Sequence, residues 1–182
     1  MKKYVTLLRG INISGKNKIS MNELKESLKK LNLSNVITYL NSGNIIFETN
    51  ENNKTKLMKQ LKQHIKDTFA LDIPVFIIEI KELEELLNNE PDWWKETNKQ
   101  KYDNIIFVIE PHMYEEIYNV LGEPKKEYEI IKEYKNNIFW SFDLRYYQKT
   151  NWWSKTASTS ISKYITIRTK NTIKKILELA NK

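Results

Sequence analysis

The stretch of this sequence best equipped for chemistry is residues 9–18, Arg-Gly-Ile-Asn-Ile-Ser-Gly-Lys-Asn-Lys, directly after the apolar run Tyr4-Val5-Thr6-Leu7-Leu8. Gly10, Gly15 and Lys16 have the spacing of a phosphate-binding loop, G-x-x-x-x-G-K. In such a loop the glycines let backbone N–H groups converge on a phosphate, the lysine adds charge, and the next residue supplies a hydroxyl to Mg²⁺. Here the next residue is Asn17, which has no hydroxyl, and the following helix signal starts only at Ser20, too late for its N-terminus to be wrapped by the loop. No later strand ends in the expected Asp, and Phe107-Val108-Ile109-Glu110 is only a faint imitation. The motif is therefore read as the wall of a simpler anion site and not as a nucleotide hydrolase.

A second glycine-bearing stretch, Asn41-Ser42-Gly43-Asn44, lies between two β-rich runs and reads as a hairpin turn. Three of the four glycines fall in these two stretches. If a strand, a helix and a hairpin follow one another in a β-α-β-β unit, strands 1 and 2 run parallel, and the loop after strand 1 shares one end of the sheet with the hairpin. Arg9, Gly10, Asn12, Gly15, Lys16, Ser42, Gly43 and Asn44 are thus the candidate ligand-binding set. Arg9 and Lys16 would neutralise a small phosphate- or carboxylate-bearing ligand, and N–H groups and amides would orient it. The competing reading is that the glycines only shape a loop and a hairpin. Loop length argues for function, because connections of this kind usually run about two to six residues.

Arginine is scarce beside 27 lysines, so Arg9, Arg145 and Arg168 stand out as places where a planar, bidentate cation is wanted. Arg145 after one strand and Arg168 at the end of another would share a sheet end and, with the polar segment around Lys155, form a possible second cluster. Other chemistry is faint. There is no cysteine, hence no thiolate nucleophile or ligand. His64 and His112 lack partners at triad or ligand spacing, no carboxylate pair stands out, and no metal site is expected. The residues name no cofactor and leave open whether the protein is an enzyme.

The elements that must hold these residues are legible. Ser20-Met21-Asn22-Glu23 has the form of a capping box, and Met21, Leu24, Leu28 and Leu31 follow at helical spacing. Strands Val36–Leu40 and Ile45–Glu48, a helix carrying Leu57, Leu61, Ile65 and Phe69, and a strand Ile73–Ile78 complete β-α-β-β-α-β. After a helix with Leu83, Leu86 and Leu87 comes the polar stretch Asn88–Asp103, and then the same order returns: strand Asn104–Ile109, helix 112–121, strands 128–134 and Ile138–Phe142, a helical segment within 152–163, strand Tyr164–Arg168, and a last helix from Asn171. The fold class is α+β, a duplicated ferredoxin-like architecture of two βαββαβ halves with an added C-terminal helix. The halves are residues 1–80 and 104–182, joined by 81–103.

The net charge of +7 comes from lysines dispersed along the chain and interleaved with Glu, which describes solvated faces better than a nucleic-acid stripe. Nucleic acid is kept as the alternative partner, because the pairs Trp93-Trp94, Tyr146-Tyr147 and Trp152-Trp153 could stack bases, although Asn44–Glu48 lacks the aromatic RNP1 pattern. A protein-interaction scaffold without catalysis is a further alternative, and oligomeric state is not legible. With no apolar run of about 18 residues and no signal-like start, the expectation is a cytoplasmic protein without a membrane partner.

The opening, Tyr-Val-Thr-Leu-Leu-Arg-Gly-Ile-Asn-Ile-Ser-Gly-Lys through Asn-Ser-Gly-Asn-Ile-Ile-Phe, closely resembles a bacterial family known as domain of unknown function 1697. The closing Ser-Lys-Thr-Ala-Ser-Thr and Thr-Ile-Arg-Thr-Lys-Asn-Thr-Ile-Lys-Lys-Ile resemble that family's end. The chain departs from it at Ser14, where glycine is usual, and at Lys170, near a common tryptophan. The resemblance implies the duplicated ferredoxin-like architecture and brings no established activity.

Overall fold

A computed structural model describes residues 1–96 and 98–182 of the chain. The first sheet holds β1 (Lys2–Leu8), β2 (Ser34–Tyr39), β3 (Asn44–Thr49) and β4 (Val75–Glu79) in the order β2-β3-β1-β4; α1 (Met21–Leu28) follows β1 and α2 (Lys54–Phe69) follows β3. Every neighbouring pair is antiparallel, with Leu7 opposite Asn44 and Leu8 opposite Val75. Both helices begin on a side-chain cap: Ser20 Oγ accepts from Glu23 N at 3.4 Å and Asn53 Oδ1 from Lys56 N at 3.0 Å.

Alternation divides the sheet's side chains. Tyr4, Leu8, Ile45, Phe47, Val75 and Ile77 pack with Leu24, Leu28, Leu57, Leu61 and Ile65 in one core. The other face is buried as well, at Val5, Leu7, Ile46, Phe76 and Ile78. Strands buried on both faces require continuous apolar runs and not alternating ones, which is why β1, β3 and β4 read so plainly, whereas the edge strand β2 is exposed or half-buried throughout.

Then come α3 (Ile80–Asn88) and, after Pro91, α4 (Asp92–Lys95). The second sheet repeats the first: β5 (Lys101–Val108), α5 (Tyr114–Leu121), β6 (Glu129–Tyr134), β7 (Asn137–Asp143), α6 (Trp152–Ser158) and β8 (Ile165–Thr169), ordered β6-β7-β5-β8 and all antiparallel. Ile106, Val108, Ile138, Trp140, Phe142 and Ile165 form its core with Ile117, Leu121, Trp152 and Ile161. The segment expected to be helical within 152–163 is α6 followed by a 3₁₀ turn at Ser160–Lys163. The chain ends in α7 (Lys170–Ala180). The architecture is the α+β, duplicated ferredoxin-like one with a C-terminal helix.

Two compact units result, one of Met1–Glu84 with Lys175–Lys182, the other of Glu85–Lys174. The sequence reading placed the whole last helix in the second half. Its end groups with the first unit because Lys3 Nζ donates to Ala180 O and Asn181 Nδ2 to Glu84 Oε1 at 3.0 Å. Among the described residues no helix is long and apolar enough to cross a membrane.

The tightest joint of the first unit lies where the β2–β3 hairpin meets the end of β1. Leu8 N donates to Gly43 O at 2.9 Å, and a Cβ on Gly43 would stand 2.8 Å from both Leu8 Cβ and Ile11 Cδ1, at a φ of +77°. Gly15 has a similar φ of +75° with nothing within 4 Å. Gly43→Ala, combining left-handed strain with overpacking, should cost about 2–4 kcal/mol. Gly15→Ala should cost about 1 kcal/mol. Urea denaturation of both variants checks the ranking; equal losses would show that the hairpin is not wedged against the loop.

Candidate functional site

The connection between β1 and α1, residues 9–20, is a miniature hairpin. Asn12 N donates to Asn17 O at 3.1 Å and Lys16 N to Ile13 O at 2.9 Å, with Ile13 and Lys16 bridged antiparallel. The central residues Ser14 and Gly15 have φ of +49° and +75°, as a type I′ turn requires. Buried Ile11 and Ile19 anchor the base, while Ile13 is exposed at the tip. The Gly-Lys spacing that imitates a phosphate loop therefore comes from a β-turn whose Asn12 and Lys16 N–H groups are used within the loop itself.

Asn12 is the latch of this arrangement. Its Nδ2 donates to Ile19 O at 3.0 Å and to Asn41 O at 2.9 Å, and its Oδ1 accepts from Ile19 N at 2.9 Å. One side chain thus closes the loop and ties it to the β2–β3 hairpin, which brings the two glycine-bearing stretches together as the topology demands. Asn17 Nδ2 donates to Gly10 O at 2.8 Å. Asn44 is fully buried, and its Nδ2 donates to Tyr39 O at 2.7 Å and Ser42 Oγ at 3.1 Å. The amide groups expected to face a ligand hold the two loops in shape.

Beside the latch lies an open depression of about 620 Å³, lined by Gly15, Lys18, Ser20, Asn22 and Asn41 together with Asn12, Ile19 and Met21. No acidic residue lines it. Of the eight residues picked out in the sequence, Asn12 and Gly15 line it; Arg9, Gly10, Lys16, Ser42, Gly43 and Asn44 do not. Lys16 and Lys18 are exposed, and no carboxylate among the described residues forms an ion pair with either. Arg9 sits at the loop's origin, where its N donates to Pro74 O at 3.1 Å, and burial pulls its guanidinium pKa down. Lys18 and Asn22 were missed in the sequence. The signal available was position, since both flank the helix cap Ser20.

Arg145, Lys155 and Arg168 are each held by a different partner. Arg145 clasps Asp143 through Nε at 3.0 Å and Nη2 at 2.6 Å, which raises its own pKa and lowers that of the carboxyl. Lys155 Nζ donates to Leu121 O at 2.7 Å. Arg168 is buried inside β8, paired with Ile105, and its Nη1 donates to Thr166 Oγ1 at 2.9 Å and Ile167 O at 2.8 Å. The paired aromatics serve the second unit's packing: Trp94 meets Phe139 edge-on at 5.2 Å, Tyr147 meets Trp153 at 5.0 Å, and Trp152 Nε1 donates to Gly122 O at 2.8 Å.

The histidines are engaged locally. His112 Nδ1 lies 2.8 Å from Glu116 Oε2, with its ring stacked 3.6 Å from that of Tyr164. His64 Nε2 lies 3.0 Å from Ser27 Oγ, whose hydroxyl donates to Leu24 O at 2.8 Å, so this serine's proton is already committed. Among the described residues no three His, Asp or Glu side chains gather as metal ligands. Burial first, and the charge of Lys30 second, hold the His64 pKa below its ordinary 6.5. A folded pKa below the unfolded one gives stability that is present above the unfolded value and lost as pH falls through the folded one. NMR titration of the His64 ring should give a midpoint below 6.5, and His64→Gln should flatten the decline in stability between about pH 7 and pH 5. A midpoint above the ordinary value would contradict this.

Comparison with known proteins places this geometry in a family. None of the curated proteins matches the chain. Among solved structures, that of conserved bacterial protein SP0830 from Streptococcus pneumoniae is similar, with 29% sequence identity, a TM-score of 0.86, and 98% of each chain covered. The model of a family described as "protein of unknown function (DUF1697)" matches residues 1–139, a span that holds the whole loop, latch and hairpin. The chain belongs to the DUF1697 family.

Proposed function

We propose that the first unit binds a small anionic ligand, phosphate- or carboxylate-bearing, in the depression between the Arg9–Ser20 loop and the start of α1. The observation that carries this reading is the lining: one lysine, three asparagines and a serine, with no acid among them. An acid in the lining would cancel Lys18; exposed Glu23 in the same turn lies outside it, which leaves a positive field in which neutral amides can orient a ligand. Helix geometry adds donors. The first turn of α1 has no internal partners for its leading N–H groups. Ser20 takes up those of Glu23 and Leu24, which leaves those of Met21 and Asn22 to a ligand.

In this reading Lys18 supplies the principal charge, Lys16 at the loop tip supplies a second, and Asn22 and Asn41 set orientation. Asn12, Asn44 and Gly43 act indirectly, by fixing the wall. The site is open to solvent, where each ion pair contributes about 0.2–1 kcal/mol, so the affinity is modest.

A ligand that binds only the folded state raises the melting temperature as its concentration passes the dissociation constant. Inorganic phosphate and citrate, at constant ionic strength, should stabilise the wild type by a few degrees, and Lys18→Ala should reduce that gain. An undiminished response in Lys18→Ala would place the binding elsewhere. Affinity for single-stranded RNA that falls steeply with salt, with no response to small anions, would favour the nucleic-acid alternative.

A further inference from the structure

The second unit contains a cavity of about 410 Å³ that the reading above does not use. It lies where β5 begins, β8 ends and α7 starts, and Lys99, Lys101, Lys170 and Lys174 all line it. Two acids, Glu96 and Asp103, share that lining, so the cavity carries an excess of two positive charges. The strand register makes this gathering: Asn104 pairs with Thr169, which sets Lys101 and Asp103 of β5 beside Lys170.

The inner part is the informative one. Lys101 and Lys170 have side chains only 17% and 12% exposed, and Asp103 only 9%. The carboxylate is shared: Lys101 Nζ stands 3.6 Å from Oδ1 and Lys170 Nζ 3.6 Å from Oδ2. Ser141 Oγ donates to Oδ1 at 2.5 Å. Each ammonium also donates to a tryptophan carbonyl, Lys101 to Trp93 O and Lys170 to Trp94 O, and each lies over the same residue's ring, at 5.4 and 4.7 Å. Carbonyls and ring faces solvate the ammoniums but do not neutralise them. Two cations against one carboxylate leave a positive charge in a place poor in water, an arrangement that costs stability until an anion completes it.

The rim points the same way. Lys99 and Lys174 are exposed, and neither forms an ion pair with a carboxylate among the described residues. Thr169 Oγ1 accepts from Thr172 N at 3.3 Å, so the positive end of the eleven-residue helix α7 opens onto the cavity. We propose that this cavity is a second anion site, which takes the phosphate group of a small phosphorylated molecule. Inner Lys101 and Lys170 hold the phosphate, and Lys99 and Lys174 close on it from the rim. Four ammoniums with no guanidinium fork suit a dianion with oxygens on all sides better than a planar carboxylate. Asp103 is a positioning residue that sets the spacing of the two inner ammoniums.

Trp93 makes the site observable, because an anion drawn to Lys101 alters the charge over its ring. Tryptophan fluorescence is titrated with inorganic phosphate, and with acetate at matched ionic strength, for the wild type, the K99A/K174A and K16A/K18A double variants, and Trp93→Phe. The expected result is a saturable change with phosphate but not acetate, weakened about tenfold or more in K99A/K174A, kept in K16A/K18A and reduced in amplitude in Trp93→Phe, where Trp94 beneath Lys170 still reports. Both rim lysines are exposed, so an unchanged melting temperature certifies the fold of K99A/K174A. Equal phosphate affinity in wild type and K99A/K174A, an equal response to acetate, or no response at all would overturn the proposal. Weakening confined to K16A/K18A would overturn it while leaving the first-unit reading standing.

Discussion

β1 is hydrogen-bonded antiparallel to both β3 and β4, and much of the first unit's loop geometry follows from that central position. With β3 between them, β1 and β2 run parallel, and the loop leaving β1 must emerge beside the β2–β3 hairpin. Leu8 N on Gly43 O closes that meeting, and the missing Cβ at Gly43 makes room for it. Asn12 then fastens the loop to Asn41 O. A polar wall can be built here because each loop is held by the other.

The second unit solves the same problem with the parts exchanged. Its hairpin carries the asparagine: Asn136 Nδ2 donates to His112 O at 3.0 Å, and its Oδ1 accepts from Tyr114 N at 2.6 Å, capping α5. One amide again spans loop and hairpin at the corresponding end of the sheet. The difference is length, with residues 109–113 between β5 and α5 against residues 9–20 between β1 and α1. The shorter connection gives only a cap and a latch. The longer one adds the type I′ tip, Lys16, Lys18 and the depression, so the extra residues are those the proposed anion site draws on. The second unit's own cationic cavity lies at the opposite end of its sheet, where β5 starts and β8 ends.

Fold and topology were legible because β1, β3, β4, β5 and β7 bury residues on both faces and so appear as largely apolar runs, and because Ser20 and the Asn-Ser-Gly-Asn turn mark element ends. The meeting of loop and hairpin followed from topology alone. The roles of individual polar residues did not. Asn12 and Asn44 have the chemistry of ligand donors, but their amides bond backbone carbonyls, a choice set by turn geometry at positions such as Asn12, with φ of +54°. Scarcity of arginine drew attention to Arg145 and Arg168, which an adjacent Asp143 and neighbouring strand atoms occupy. The lysines that gather were hidden among 27, and Lys101 meets Lys170 only through the register of two strands far apart in sequence.

Amide chemical-shift mapping of the intact, ¹⁵N-labelled chain during titration with inorganic phosphate tests the central claim, an anion site at the start of α1, most directly. The account predicts saturable shifts at Gly15, Lys18, Met21 and Asn22, with the Asn12 side-chain amide still latched. Saturable shifts confined to other parts of the chain, with these four amides unmoved, would contradict it.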